Sequence, residues 1–326
     1  MSNLNGYPLD FLIKCSEASE GGFNIGEFPS QLEKLLTRGG ISANMPLFFL
    51  AKEKGSEDLY IAVRGATETC DFVRVLNFKH SPFLNGEVHS GVLEAARWII
   101  SESRKYIDSC KGRIICTGHS LGGSTAALIA TILRLEEKRA NVISISEAPF
   151  PIFTADVRKL TEEFATSIIY NRDVVPLLSH KNIRAFLNQM VPPEAQQNPQ
   201  MAAAIVGQLV QQLIIGIMNS RGITDPNIIN SIREKVPVIV SNLMQGDANE
   251  KELYLPGKLF QVVMKDQNAF DIVPFKEGSP LPNALALMLS VQDHNLQLLI
   301  NALQTIAHPP PPPKPASGPK EVEDLD

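Results

Sequence analysis

"RIICTGHSLGGSTAALIATIL", Arg113 to Leu133, carries three signals in succession. An apolar, β-branched run reads as a buried strand over Arg113 to Thr117. Glycines then bracket a serine in Gly118-His119-Ser120-Leu121-Gly122, and an alanine-rich run from about Ser120 to Lys138 reads as a helix. Glycines let the backbone turn from strand to helix without a Cβ clash, which lifts the Ser120 hydroxyl above the sheet edge. The first amides of the helix point at the same spot, and the N–H of Leu121 can bind an oxyanion there. The competing reading of these residues alone is a structural strand-to-helix turn.

The flanking sequence has the rhythm this turn requires. Pro46 to Glu53 and Leu59 to Arg64 read as two strands around a glycine turn. Val92, Ala95, Ala96, Ile99 and Ile100 have helical spacing. After the serine come a strand in "NVISISEAP" (Asn141 to Pro149), a helix in "TADVRKLTEEF" (Thr154 to Phe164) and a strand in "ATSIIYNRDVVP" (Ala165 to Pro176). Strands alternating with helices predict an α/β fold with a mostly parallel, doubly wound sheet.

From about His180 to Asn249 the alternation stops. Between Ala185 and Ile232 the only charged residues are Glu194, Arg221 and Asp225, and the apolar runs have helical character. This reads as an inserted helical cap; a helical subdomain with no lid role is the alternative. Its most apolar part, Met201 to Met218, contains Gln208, Gln211 and Gln212, which favours an amphipathic helix over a membrane span. The alternation resumes with strands in "YLPGKLFQVVMK" (Tyr254 to Lys265) and "AFDIVPF" (Ala269 to Phe275). One helix then runs through Pro282 to Ile306. The expected organisation is an N-terminal helical or irregular segment (1–45), a core in two parts (46–179 and 251–306), the cap (180–250) and a tail (307–326). "HPPPPPKPASGPKEVEDLD" in that tail reads as a polyproline spacer with an acidic end, which an SH3-like partner would suit.

Composition narrows the function. The chain has 326 residues, 44% hydrophobic and 20% charged, with net charge −5 and no Lys/Arg-dense patch, which argues against a nucleic-acid partner. Cys15, Cys70, Cys110 and Cys116 form no CxxC pair and no metal spacing with histidine. The first residues lack a basic region followed by an apolar one, so no secretory signal is read there. The expected placement is cytoplasmic and peripheral to membranes.

A serine hydroxyl of ordinary acidity needs a base and an oriented acid. Of the six histidines, His294 in "SVQDHN" follows the serine at the position a base requires. His80, His89 and His180 come too early, His119 inside the turn points away from the serine side chain and packs or donates locally, and His308 lies in the tail. Asp173 stands just past a strand end and is the expected acid. Glu147 is the runner-up, Asp156 reads as a helix-capping charge, and Asp293 is a poor orienter for its own neighbour.

With these pieces in place the chain resembles the class 3 lipases of the α/β-hydrolase fold. The resemblance rests on "VRGA" (Val63 to Ala66) with Asp71, "VHSGVLEAA" (Val88 to Ala96), "GHSLGGSTAAL" (Gly118 to Leu128), "NRDVVP" (Asn171 to Pro176), "LYLPGKLFQV" (Leu253 to Val262) and "DHN" (Asp293 to Asn295). The last two look closer to the diacylglycerol lipase branch than to secreted fungal lipases. The resemblance implies Ser120 as nucleophile, Asp173 as acid, His294 as base, and the amides of Ala66 and Leu121 as the oxyanion hole. It implies no cofactor and no metal, and a glycerolipid acyl ester as substrate, with an alcohol acceptor equally compatible. Two positions depart from the family. Ala66 replaces a hydroxyl residue, with Thr67 beside it as a possible substitute, and Glu147 replaces a small one. A catalytically weak scaffold on the same fold is therefore the alternative. The family's short lid would fall at "NFKHSPFLNGE" (Asn77 to Glu87).

Overall fold

The computed structural model describes residues 3–21, 23, 28–39, 45–67, 71, 79–220, 222–244, 251–266 and 269–309. Its centre is an eight-stranded sheet built in chain order: β1 (Leu32–Arg38), β2 (Phe48–Glu53), β3 (Leu59–Val63), β4 (Ile114–His119), β5 (Val142–Glu147), β6 (Ala165–Tyr170), β7 (Lys258–Asp266) and β8 (Ala269–Pro274). Strands β3 to β7 run parallel, while β1, β2 and β8 add antiparallel edges. Parallel strands are buried on both faces, which explains the unbroken apolar runs that first marked β3 and β4.

Alternate residues feed two cores. Phe48, Leu50, Ile61, Val63, Ile114 and Cys116 face one side, where α2 (Ser90–Ser109), α3 (Leu121–Thr131, continued by a π-helical turn to Glu136) and α4 (Ala155–Thr161) pack. Phe49, Ala51, Tyr60, Ala62 and Ile115 face the other, covered by α1 (Leu9–Gly21) and by the last helix of the described chain, Leu296–Ala307. The register aligns Val63 with Gly118 and His119 with Glu147, so the carboxyl ends of β3, β4 and β5 finish together. That edge is where α/β sheets place their sites.

Residues 180–244 form α5 (His180–Met190), α6 (Pro193–Gln196), α7 (Pro199–Ser220) and α8 (Pro226–Met244). Val206, Val210, Ile214, Ile217 and Met218 of α7 join the same core as α2 and α3, so this insertion is fused to the body of the protein.

Two expectations need correction. The segment 1–45 is not only helical or irregular, because Leu32–Arg38 forms the edge strand β1. Its charged residues Glu33, Lys34 and Arg38 face solvent, as an edge strand requires, and that leaves little two-residue alternation to read. The final helix is not continuous either. It divides into α9 (Ala284–Ser290), a 3₁₀ turn (Val291–Asp293) and α10 (Leu296–Ala307). Asn283 and Asn295 each cap the helix that follows, accepting from Ala286 N at 3.0 Å and from Gln297 N at 2.9 Å. The apolar spacing runs through both helices because each buries its own leucines. The expected short-lid stretch is, over its described part, a two-stranded ribbon (His80–Phe83 with Gly86–His89); Asn77 and Phe78 lie outside the described residues, as does the tail from 310.

Candidate active site

The turn at Ser120 is held by close backbone contacts. A Cβ on Gly118 would lie 2.4 Å from the carbonyl carbon of Gly122, and one on Gly122 would lie 2.0 Å from the Val63 oxygen. Only glycine fits either place, and the fit presses the start of α3 against the end of β3. Ser120 itself has φ 59° and ψ −127°, a conformation few L residues adopt. Its N–H donates to Glu147 O at 2.8 Å, and its carbonyl accepts from Ser124 N at 3.1 Å. Ser124 then fastens the loop after β5, its hydroxyl donating to Phe150 O at 3.0 Å and accepting from Phe150 N at 2.9 Å.

Asp173 and His294 lie 121 positions apart in sequence and meet here. Nδ1 of His294 is 2.8 Å from Oδ2 of Asp173, and both residues are buried. The other carboxylate oxygen, Oδ1, accepts from Val175 N at 2.9 Å, which fixes the orientation of the acid. Such a pair holds the imidazole in one tautomer and leaves Nε2 free to take a proton. Nε2 of His294 is fully buried without a hydrogen-bond partner, an arrangement that the hydroxyl of a docked nucleophile or a leaving group would satisfy.

His294 has supports that the sequence did not reveal. The ring of His119, one residue before the serine, stacks on His294 with centroids 4.5 Å apart and planes at 27°. Its partner was not legible, because the two lie 175 positions apart in sequence. Asp293, a poor orienter by sequence, instead accepts from Asn171 Nδ2 at 3.0 Å and Arg172 N at 3.1 Å, tying the base's loop to the acid's. Burial raises the pKa of Asp293. The remaining histidines are engaged elsewhere: His89 caps α2, His80 meets Glu87 at 3.2 Å, His308 meets Asp10 at 3.0 Å, and His180 opens α5.

Glu147, the runner-up acid, points away from His294 and toward α1. Ser16 and Ser19 donate to it at 3.1 and 2.8 Å, with Thr117 at 3.5 Å, and burial pushes its pKa up to about 8. It is a buried carboxyl at the base of the turn. The two expected oxyanion amides lie on the segments that Gly122 presses together, and Ala66 and Leu121 are both buried. Beside Ala66, Thr67 N donates to Asp71 Oδ2 at 3.0 Å, and its hydroxyl is buried without a partner.

The site is closed. Ser120 is 6% exposed and His294 is 0% exposed. A cavity of about 1200 Å³ lies between α1 and α10, lined by Phe11, Lys14, Gln304 and His308 among others, and holds none of these residues. Among the described residues no group of three His, Cys, Asp or Glu side chains is arranged to hold a metal ion.

Residues 60–183 match the family described as Lipase (class 3). Mouse diacylglycerol lipase-beta is 26% identical over 149 residues, covering 42% of this chain and 22% of that protein. Human diacylglycerol lipase-alpha is 23% identical over 165 residues, covering 44% of this chain and 16% of that protein. The chain thus matches less than a quarter of the length of these curated relatives. Among solved structures, a deletion mutant of the Rhizomucor miehei lipase in its propeptide complex superposes with a TM-score of 0.51. It is 15% identical and covers 88% of this chain and 77% of its own, a likeness of fold alone. The matched segment runs from β3 through the turn at Ser120 to the loop of Asp173 and the start of α5, and over this segment the chain is similar to the class 3 lipases, the diacylglycerol lipases among them, on an α/β-hydrolase sheet.

Proposed function

We propose that the protein is a serine ester hydrolase that cleaves acyl esters of glycerolipids. The observation that carries this reading is the buried 2.8 Å contact between Asp173 and His294, whose Nε2 is unpartnered and whose ring stacks on His119, the residue before Ser120. Ser120 Oγ attacks the acyl carbonyl and its proton passes to His294 Nε2. The resulting oxyanion rests on the amides of Ala66 and Leu121. The bond to the leaving alcohol then breaks as Nε2 returns the proton, and an acyl-enzyme remains on Ser120. Water, deprotonated by the same nitrogen, attacks it and releases the fatty acid. Asp173 steadies the imidazolium. No metal or organic cofactor enters these steps.

Because the site is closed, the substrate enters only when a covering element moves. The cap is the element suited to a lipid surface. Helix α7 is long and apolar enough over Gln200–Ser220 to cross a membrane, although six of its side chains are buried in the core. We read it as contacting the surface of a membrane, which accords with a cytoplasmic, peripheral placement and with exposed Met201, Val238, Leu285 and Leu289. An SH3-like partner for the proline-rich tail remains a separate proposal from sequence.

A second reading, a lipase-fold scaffold with weak or no turnover, draws on Ala66, which lacks a hydroxyl, and on the closed site. A fluorophosphonate probe separates the two. Labelling of the wild type that disappears in Ser120→Ala is expected. Labelling that persists in the variant refutes the nucleophile, and a folded wild type that never labels favours the scaffold.

A further inference from the structure

His294 sits where three elements meet: the 3₁₀ turn Val291–Asp293, the first residue of α10, and the last residue of α7. The side chain that joins them is Asn295. Its Oδ1 accepts from Gln297 N at 2.9 Å and so caps α10, while its Nδ2 donates to Ser220 O at 3.0 Å. Ser220 is the final residue of the cap helix, and its carbonyl has no helical amide left to accept from. The Ser220 hydroxyl donates to Ile217 O at 2.8 Å and leans toward the carbonyl of His294 itself at 3.3 Å. One turn earlier, a Cβ on Gly216 would stand only 3.3 Å from Val291 Cγ1, so α7 lies directly against the turn that presents the base. Val291 is fully buried in that seam.

From this junction we propose that Asn295 is a positioning residue that ties the end of the cap to the loop holding His294, so that the base is in place only while α7 is seated. The inference rests on the serine-hydrolase reading and assigns the cap a second role, beyond covering the site. Asp293 fastens the loop to the acid, and Asn295 fastens it to the cap; His294 lies between the two ties. Misplacing a catalytic group by about 1 Å can cost on the order of a hundredfold in rate. A tie one residue from the base therefore matters more than its single hydrogen bond suggests.

The test uses Asn295→Asp and Asn295→Ser in the full chain. Both retain an oxygen that caps α10. Neither presents the amide N–H to Ser220, and only one adds a charge, so their shared effect reports the tie. With a short, water-soluble ester, kcat is expected to fall about tenfold in both variants, with KM within about twofold of wild type. The final extent of fluorophosphonate labelling should stay full while its rate falls in parallel. Deuterium uptake should rise together in 205–220 and 291–300, a readout that needs no turnover. A merely structural role would lower the labelled fraction in proportion to kcat, and that result overturns the proposal. So does a kcat within twofold of wild type in both variants. A wild type that neither labels nor turns over removes the hydrolase reading, and with it any base to position, whereas an active wild type matched by both variants removes this inference alone.

Discussion

Burying a carboxyl beneath the Ser120 turn should make stability fall as pH rises, against the usual direction for acidic groups. Glu147 is fully buried and its pKa is raised from an ordinary 4.5 to about 8, chiefly by loss of hydration, while the Ser19, Ser16 and Thr117 hydroxyls offset part of the rise. In the unfolded chain it ionises near 4.5, so below that pH both states hold the proton and nothing is lost. Between 4.5 and 8 only the folded state keeps the proton, and each pH unit costs about 1.4 kcal/mol of stability. The slope ends near pH 8, after a loss of up to about 5 kcal/mol. Glu147→Gln keeps the shape and removes the titration. Its amide meets hydroxyls that rotate to accept or donate. Urea unfolding followed by the fluorescence of Trp98, which packs edge-on against Phe48 in the core, measures both proteins. From pH 5 to pH 8 the wild type should lose several kcal/mol relative to Glu147→Gln. Parallel stability curves for the two proteins over that range would refute the reasoning. A difference of opposite sign would show that Glu147 is held ionised by the α1 hydroxyls.

Asp173→Asn should leave the fold intact and lower kcat on the order of 10⁴-fold, because the amide favours the wrong imidazole tautomer; steady-state kinetics with a soluble ester measure it, and a loss under tenfold would remove Asp173 from its role. His119→Phe keeps a flat ring on His294 and should hold kcat within about threefold, whereas His119→Ala should lower it about tenfold with KM unchanged. Equal rates in the two variants would mean that the stack does not orient the base. Thr67→Val removes a buried hydroxyl that has no partner, so the protein should gain about 1 kcal/mol in urea unfolding. A simultaneous fall in kcat would show that the same hydroxyl serves the oxyanion. Leu285 and Leu289 are 73% and 64% exposed, and full burial of a leucine is worth about 1.5–3 kcal/mol. Replacing both with Asn should weaken binding to phosphatidylcholine vesicles at least about tenfold by sedimentation, with soluble-ester turnover unchanged.

What the sequence made legible was local or ordered along the chain. The strand, glycine turn and helix around Ser120 are contiguous, and each element needs its own residue types, so their reading carried the fold. Asp173 was singled out because a strand and a proline bracket it, and His294 by its place in the chain order, and the structure brings these two side chains into contact. The supports were hidden for a physical reason. Asn295 and Ser220 are 75 positions apart, and an asparagine that caps a helix looks the same whether or not its amide has a second partner. His119 and His294 stack across the sheet edge, and no periodicity encodes that approach. Glu147 was noticed as unusual, but its function depends on three hydroxyls, two of them on a helix near the N-terminus.

The cap shows best how a sequence pattern and a structural role diverge. Charge depletion over Ala185 to Ile232 suggests a lid, so that loss of Met201 to Met218 would harm action on bilayer lipid far more than on a short soluble ester. The structure gives that segment two faces with different duties. Val206, Val210, Ile214, Ile217 and Met218 fill the main core, and Gly216 and Ser220 abut the loop of the base. Deleting the helix therefore removes core, base support and cover together, and equal losses on soluble and bilayer substrates would follow even if the cap does bind lipid. Only substitutions confined to exposed positions separate these duties. Met201→Ser and Val238→Ser alter side chains that are 53% and 50% exposed and spare the seam. Loss on bilayer lipid with full turnover of a soluble ester would assign the outer face to the membrane. The Asn295 variants, which act on the inner face, should lose turnover on both.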